Sequence, residues 1–484
     1  MKRKRLRPPA VALAAVLASG CMNLAPDYVR PSLPVADAWP AGTKPPVAQP
    51  LPAPVWRDYY RDPRLRQLIE TALADNRDLR LAALDIDKAR ALYRVQAAEA
   101  LPKLDAGLSQ SVQRTPGQLS QSGRATVSRQ YTAQLGVSAW ELDLWGRLKN
   151  LETRALESYF SSAEARRATQ LTLIAEVANA WLTLAADRER LALARETLAS
   201  QQASYRLTER TVSSGIGSGL DLAQARTSVE TARGDVATYS AQVEQDRNAL
   251  RLLLGSEPPE NLLPDKLPAD AATLAEVPVG LPSSVLLQRP DILAAEHTLI
   301  GANASIGAAR AAFFPTITLT GAGGSASARL GSLFSGASGF WSFAPSISLP
   351  IFDGGANQAN LDAAKVDRDI AVTTYEKTIQ TAFREVADAL ATRSTIQDRL
   401  SAQRALVDAS ADSYRLSEAR FRRGVDSYLS TLDSQRSLYS AQQNLISVRL
   451  ARLSNGVDLY KVLGGGAGET EATGVVGMGL TLNR

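Results

Sequence analysis

The residues of this chain whose types and spacing could do chemistry are few. Leu429, Asp433 and Arg436 are spaced by four and three, which puts an apolar side chain, a carboxylate and a guanidinium on one helix face. On an ordinary exposed helix such an acid and base are a surface pair worth a few tenths of a kcal/mol. With one cysteine, Cys21, and one histidine, His297, the chain cannot build a disulfide framework, a zinc cluster or a Cys/His dyad. His297 lies in an alanine-rich stretch and reads as a packed or surface histidine. Asp85 and Asp87 are two apart on a helix, hence on different faces, and read as solvated charge. Gly215-Ile216-Gly217-Ser218-Gly219 looks like a phosphate-cradling loop, but it follows a long helix where a nucleotide fingerprint requires a strand, so it reads as a hairpin turn. A serine nucleophile finds no base. The chain is therefore expected to be no enzyme and to need no cofactor or metal.

The elements that hold these residues appear twice. At a constant offset of 209 residues, Tyr205-Arg206-Leu207-Thr208-Glu209 becomes Tyr414-Arg415-Leu416-Ser417-Glu418, Gly215 becomes Gly424, Leu220 becomes Leu429, and Leu254-Gly255 becomes Leu463-Gly464. An ungapped spacing is what a long helical pair keeps while its sequence drifts, so the chain reads as a tandem duplication of a helical hairpin. Of the two copies only the second carries the charges: Leu429, Asp433 and Arg436 correspond to Leu220, Gln224 and Thr227.

The formal charge of +5 at first suggests an anionic partner. Lys2, Arg3, Lys4, Arg5 and Arg7 supply five positive charges in a start that contains no acid, and without it the chain is formally neutral. Nucleic acid is therefore not an expected partner. Residues 1–20 continue with an apolar run from Ala10 to Ala18, too short to span a bilayer, and read as a secretion signal. The signal ends in Leu17-Ala18-Ser19-Gly20-Cys21, which resembles the bacterial lipobox, with Ala18 where most carry leucine. That resemblance implies lipidation at Cys21, and Met22 after it, where an aspartate would retain the protein, implies sorting to the outer membrane.

Period-two alternation marks two strand hairpins. Leu104, Ala106, Leu108 and Val112 alternate with small or polar residues, as do Tyr131, Ala133, Leu135, Val137 and Ala139; in the second half Ile317 and Leu319, then Trp341, Phe343, Ile347 and Leu349, repeat the pattern. Strands of about ten residues, apolar on one side, are long enough for a tilted membrane crossing. Four strands cannot close a barrel around an aqueous lumen, and an open edge in lipid would leave backbone groups unpaired, so the chain must oligomerise, as a dimer or a trimer. Between the hairpins, Gly146 to Ser213 and Gly355 to Arg423 each predict one proline-free helix of about 100 Å. Their apolar stripes are Leu171, Ile174, Ala178, Trp181 and Ala185, and Ile379, Phe383, Val386 and Leu390. Leu220 to Leu254 and Leu429 to Leu463 predict the returning helices, and Pro63 to Ala100 and Pro290 to Ala312 the helix before each strand pair.

Cys21 is followed by Leu24-Ala25-Pro26-Asp27-Tyr28-Val29-Arg30-Pro31 and a proline-rich stretch, and Gln288-Arg289-Pro290-Asp291-Ile292 echoes Asn76-Arg77-Asp78-Leu79. Together with the duplicated helix-strand-strand-helix order, these resemble the outer-membrane-factor lipoproteins of the TolC family, OprM/NodT branch. The resemblance implies an α+β membrane protein: a homotrimer with a twelve-stranded outer-membrane β-barrel continuous with a long periplasmic α-helical barrel, each protomer internally duplicated. It divides the chain into a lipoprotein signal peptide (1–20), a lipid-anchored extended segment (21–63), a first repeat (64–254), a linker belonging to an equatorial belt (255–288), a second repeat (289–463) and a flexible tail (464–484). It implies the exit duct of a tripartite, RND-type efflux pump, passing small molecules or drugs once a periplasmic adaptor, coupled to an inner-membrane pump, opens it. In the family a leucine and an aspartate matching Leu429 and Asp433 ring the periplasmic constriction, and an arginine like Arg436 helps hold it closed. The turns, with Ser213, Ser214, Gly215, Ser218 and Gly219 in one and Arg423, Gly424, Asp426 and Ser427 in the other, are expected to dock the adaptor. Two other readings remain open: a duct for type I protein secretion, and a coiled-coil lipoprotein bridging membrane and cell wall without a pore.

Overall fold

The computed structural model describes residues 22–39, 55–268, 274–275 and 283–465. The signal segment, Cys21, the middle of the proline-rich stretch, parts of the linker and residues 466–484 lie outside them. In chain order the helices are α1 (Trp56–Tyr59), α2 (Pro63–Asp75), α3 (Arg77–Ala98), α4 (Arg147–Ser213), α5 (Gly219–Leu254), α6 (Pro290–Ala311), α7 (Ala356–Arg422) and α8 (Tyr428–Val462). The strands are β1 (Leu104–Thr115), β2 (Thr126–Glu141), β3 (Thr316–Ser327) and β4 (Gly339–Ser348). Both proline-free helices run unbroken for 67 residues. The expected single helix from Pro63 to Ala100 is instead two. Asn76 turns extended (φ −61°, ψ 134°), and its side chain accepts from the Leu79 amide and donates to the Leu253 carbonyl, capping one helix and tying down the end of another.

Residues 22–32, 85–163 and 294–375 form one compact unit. Its centre is a four-stranded antiparallel sheet in the order β1-β2-β3-β4, so the two hairpins meet where β2 pairs with β3. The register aligns Leu104 with Val137, Ala106 with Leu135, Leu135 with Gly323, Gly323 with Trp341, Gly321 with Phe343 and Ile317 with Ile347, which collects the apolar residues on one face. Asp105, Ser109, Thr132, Gln134, Thr318, Thr320, Ser342 and Ser346 share the other. Among the described residues nothing covers the apolar face: Leu108 is 73%, Ile347 70% and Trp341 81% exposed. A bulge between Val137 and Trp140, with Ala139 at φ 49°, re-aims the last residues of β2. Below the sheet, Trp145 stacks on Phe314 at 4.7 Å and donates to the Pro315 carbonyl, while Trp140 donates to the Ala100 carbonyl.

The other described residues form a second unit. Ile174, Ala178, Trp181 and Ala185 are buried along α4, and Ile379, Val386 and Leu390 along α7, as the stripes require. Each fully buried large apolar side chain of this kind contributes about 1.5–3 kcal/mol. Trp181 donates to the Leu262 carbonyl, so the linker packs over α4, and Tyr59 stacks on Tyr460 at 4.3 Å while its hydroxyl donates to Gly456. The helix ends repeat each other's solution with different residues. Asn76 holds the Leu253 carbonyl at 2.9 Å, and the Arg289 guanidinium, braced by Asp291 and Glu385, holds Val462, the residue 209 further on, at 2.8 Å. Gly255 and Gly464 follow with positive φ, and a Cβ on Gly255 would meet the Asp75 carbonyl oxygen at 2.6 Å.

Candidate functional site

The turn between α4 and α5 is made by backbone conformation and serine side chains. Gly215 takes φ +78°, Ser213 and Ser214 both donate to the Arg210 carbonyl at 2.9 Å, and Ser218 caps α5 by accepting from the Leu220 amide. Gly219 opens the helix. In the second turn Gly424 takes φ +72°, Ser427 stands at the N-cap, and Arg420 reaches across the bend to Asp426 with bonds of 2.5 and 3.0 Å. That guanidinium holds the Asp426 carboxyl below its usual range. Arg423 lies in the bend, its amide donating to the Arg420 carbonyl at 3.2 Å.

Just past the second turn, α8 divides sharply by face. Tyr428, Thr431 and Leu432 are buried; Tyr428 and Leu432 join Ala225 of α5 in one cluster, with Tyr205 and Phe421 against it. Leu429, Asp433 and Arg436 lie on the opposite side, brought together as their spacing predicts. The Asp433 side chain is 65% exposed, and the Arg436 guanidinium approaches it only to 3.9 Å, a distance that makes an ion pair without a hydrogen bond. Among the described residues no hydrogen bond fixes these three side chains.

The third element is the strap Met22–Arg30. The Met22 amide donates to the Leu144 carbonyl, Asn150 to Asn23, Asn303 to the Pro26 carbonyl and Arg310 to the Leu24 carbonyl. Tyr28 and both arms of Arg30 converge on the buried Glu296 at 2.7–3.0 Å. Burial and the Glu296 charge together push the Tyr28 phenol far up, so it stays a donor. Gly307 lets the strap lie down, since a Cβ there would fall 2.7 Å from the Ala25 nitrogen. Cys21 is outside the described residues, but its neighbour Met22 is pinned beside the aromatic junction below the sheet. His297 pairs with Glu157 at 2.6 Å and tilts against Phe160, a packed histidine.

Residues 68–256 and 281–465 match the family model described as outer membrane efflux protein. The chain belongs to the outer membrane efflux protein family. It is 51% identical over 460 residues to the toluene efflux pump outer membrane protein TtgC of Pseudomonas putida, covering 94% of this chain and 95% of that one. It is 43% identical over 464 residues to the outer membrane protein OprJ of Pseudomonas aeruginosa, covering 95% and 97%. Among solved structures, the open state of the Neisseria gonorrhoeae MtrE outer membrane channel shares 39% identity and a TM-score of 0.81, covering 92% of this chain and 98% of that one. A structure of CusC shares 40% and 0.83, covering 92% and 100%.

This outer membrane efflux protein is thus the exit duct of an efflux pump at the outer membrane, a passive channel with the mixed helical and sheet fold of the TolC-like channels. Reading the sequence of this family member alone missed Glu296, Asn150 and Asn303, the residues that seat the strap. Their signal was present only as the segment containing Tyr28 and Arg30, two side chains that demand a carboxylate partner without saying where it is. Among the described residues there is no cluster of metal-ligating side chains and no helix long and apolar enough to cross a membrane.

Proposed function

We propose that three copies of this chain assemble into one duct, with four strands from each closing a twelve-stranded barrel and the long helices continuing it as a periplasmic tunnel. The observation that carries this is the sheet: among the described residues one face is apolar and bare, and β1 and β4 are each unpaired on their outer edge. In lipid those edges must be satisfied by another copy, at several kcal/mol for each group left unpaired, and the strand lengths suit a tilted crossing. The division into repeats 64–254 and 289–463 with a belt segment at 255–288 belongs to the same reading. Reconstitution of the purified protein into planar bilayers tests it: discrete conductance steps from a species of trimeric mass are expected, and a non-conducting monomer or dimer would overturn it.

The duct is opened by a periplasmic adaptor that couples it to an RND-type inner-membrane pump, and the turns at Ser213–Gly219 and Arg423–Tyr428 are where the adaptor docks. Support comes from the exposure of Ser214, Ser218, Arg423 and Ser427 and from Gly215, Gly219 and Gly424, beside which a Cβ would meet nothing within 4 Å. Bulky replacements of Ser214, Ser218 or Ser427 should leave trimers intact yet sensitise cells to exported drugs. Normal resistance and normal adaptor crosslinking in all three variants would remove the docking role.

Cys21 carries the lipid anchor, and the barrel supplies its own membrane affinity. Replacing Cys21 with serine behind a cleavable signal should abolish incorporation of labelled palmitate while trimers still assemble. Label retained by that variant would rule Cys21 out as acceptor.

A further inference from the structure

The seam between α4 and α5 is layered. Leu184, Leu191, Val243 and Leu250 form one buried cluster with Leu263. On α4 Asp187 lies between Leu184 and Leu191 in sequence, and on α5 Asp246 lies between Val243 and Leu250, so the two acids fall within the span of that cluster. Asp187 is 6% exposed and accepts from Arg190 Nη1 at 2.5 Å. The Asp246 side chain lies against that carboxylate, and its Oδ2 is buried without a donor. Ionised carboxylates only accept, so two of them in contact inside a seam leave one hydrogen bond that needs a proton.

Among the described residues the surrounding groups supply no other donor. Arg190 spends its second arm on Ser447 of α8. Tyr239, from α5, donates to Gln443, and burial pushes its phenol up. Asp235 accepts from Tyr439, Glu260 from the linker engages both Arg188 and Arg247, and Glu189 is held by Arg449.

We propose that Asp187 and Asp246 share one proton that latches α4 to α5, so that the first hairpin is tight in mild acid and loosens in alkali. Burial first, and then the Asp187 charge, push the Asp246 carboxyl up to about 7, with Arg190 pulling the other way. When the seam opens, the Asp246 carboxyl meets water and ionises in the ordinary range. Between that range and about 7 the closed seam holds a proton that the open one has released, so each rise in pH weakens closure; above it two anions face each other and the loss is complete. In the second hairpin, the residues 209 further on are Ile396 and Asn455, both buried, with Asn455 donating to the Ala389 carbonyl. That hairpin has no titrating pair and serves as an internal reference. The latch follows from the seam alone and does not depend on what docks at the tips.

Hydrogen exchange on the full-length protein in lipid nanodiscs tests it, read as protection factors over residues 181–195 and 239–252 against 390–404 and 448–461. A carboxyl titrating near 7 predicts about a tenfold loss of protection in the first set between about pH 6 and about pH 8, with the reference set unchanged. Asp246→Asn supplies a permanent donor and should keep the acid-side protection at both pH values. Asp246→Leu, which continues the apolar cluster, should be equally insensitive and decides the matter alone if the asparagine variant fails to assemble. Equal protection of the parent at both pH values, or a drop that persists in the variants, would overturn the latch.

Discussion

Replacing Asp433 with alanine is expected to raise single-channel conductance and to lower the cation-to-anion permeability ratio by roughly tenfold, the low end of what a focused ring of charge imposes. In the proposed trimer three such carboxylates would converge on the axis and repel one another, a poor structural choice but an effective way to attract cations. The local packing makes the experiment clean. Tyr428, Thr431 and Leu432 hold α8 in place from its buried face, whereas the Asp433 side chain is exposed and its contact with Arg436 is loose, so truncation removes charge and width control at little cost in folding. Leu429→Ala, on the same face and 45% exposed, should let large antibiotics such as vancomycin enter cells. Correctly assembled variants that match the parent in conductance, selectivity and antibiotic entry would show that these residues are not the gate.

Gly324→Val is expected to prevent assembly altogether. Gly324 sits opposite Gln134 where β2 meets β3, and an added Cβ would lie 2.1 Å from the Ala133 carbonyl oxygen and 2.7 Å from the Gln134 Cα, both backbone atoms that cannot swing aside. Overpacking of this kind costs about 1–3 kcal/mol by itself. Here it also pries apart the pairing that joins the two strand hairpins, and each ladder bond lost in lipid costs several kcal/mol more. The neighbouring Gly323→Ala is the control, since its Cβ would come no closer than 3.9 Å to the Phe340 carbonyl oxygen. Semi-native gels of outer membranes should show the oligomer for the alanine variant and none for the valine variant. A Gly324→Val oligomer at parental yield would mean that the two strands separate more easily than their register suggests.

Local period and punctuation were legible in the sequence. The glycines at 215 and 424 need positive φ whatever surrounds them, and a proline-free stretch of small and charged residues has few alternatives to a helix, so the turns and α4, α5, α7 and α8 fall within a residue or so of where spacing puts them. The break at Asn76 was not legible, because Asn76-Arg77-Asp78 contains neither proline nor glycine; it exists because the Asn76 side chain meets Leu253, a residue 177 positions away. The Asp187 and Asp246 pair escaped for the same reason. Each acid reads as solvated charge on its own helix, and only the antiparallel register buries them together. Leu429, Asp433 and Arg436 were legible as a face, and the face they share is the exposed one.

The strap has a consequence for the order of events while the chain is being made. Tyr28 and Arg30 emerge early, but Glu296, which they grip, lies 266 to 268 residues later, and Asn303 and Arg310 later still. Contacts of such separation close a loop of more than half the chain and are slow to form. Met22 and Asn23 can meet Leu144 and Asn150 earlier, but until α6 has been delivered Tyr28 and Arg30 have no carboxylate to grip. Docking of this part of the strap therefore waits for more than half of the chain, and a protein truncated before α6 is expected to keep the segment with Tyr28 and Arg30 loose and open to proteolysis.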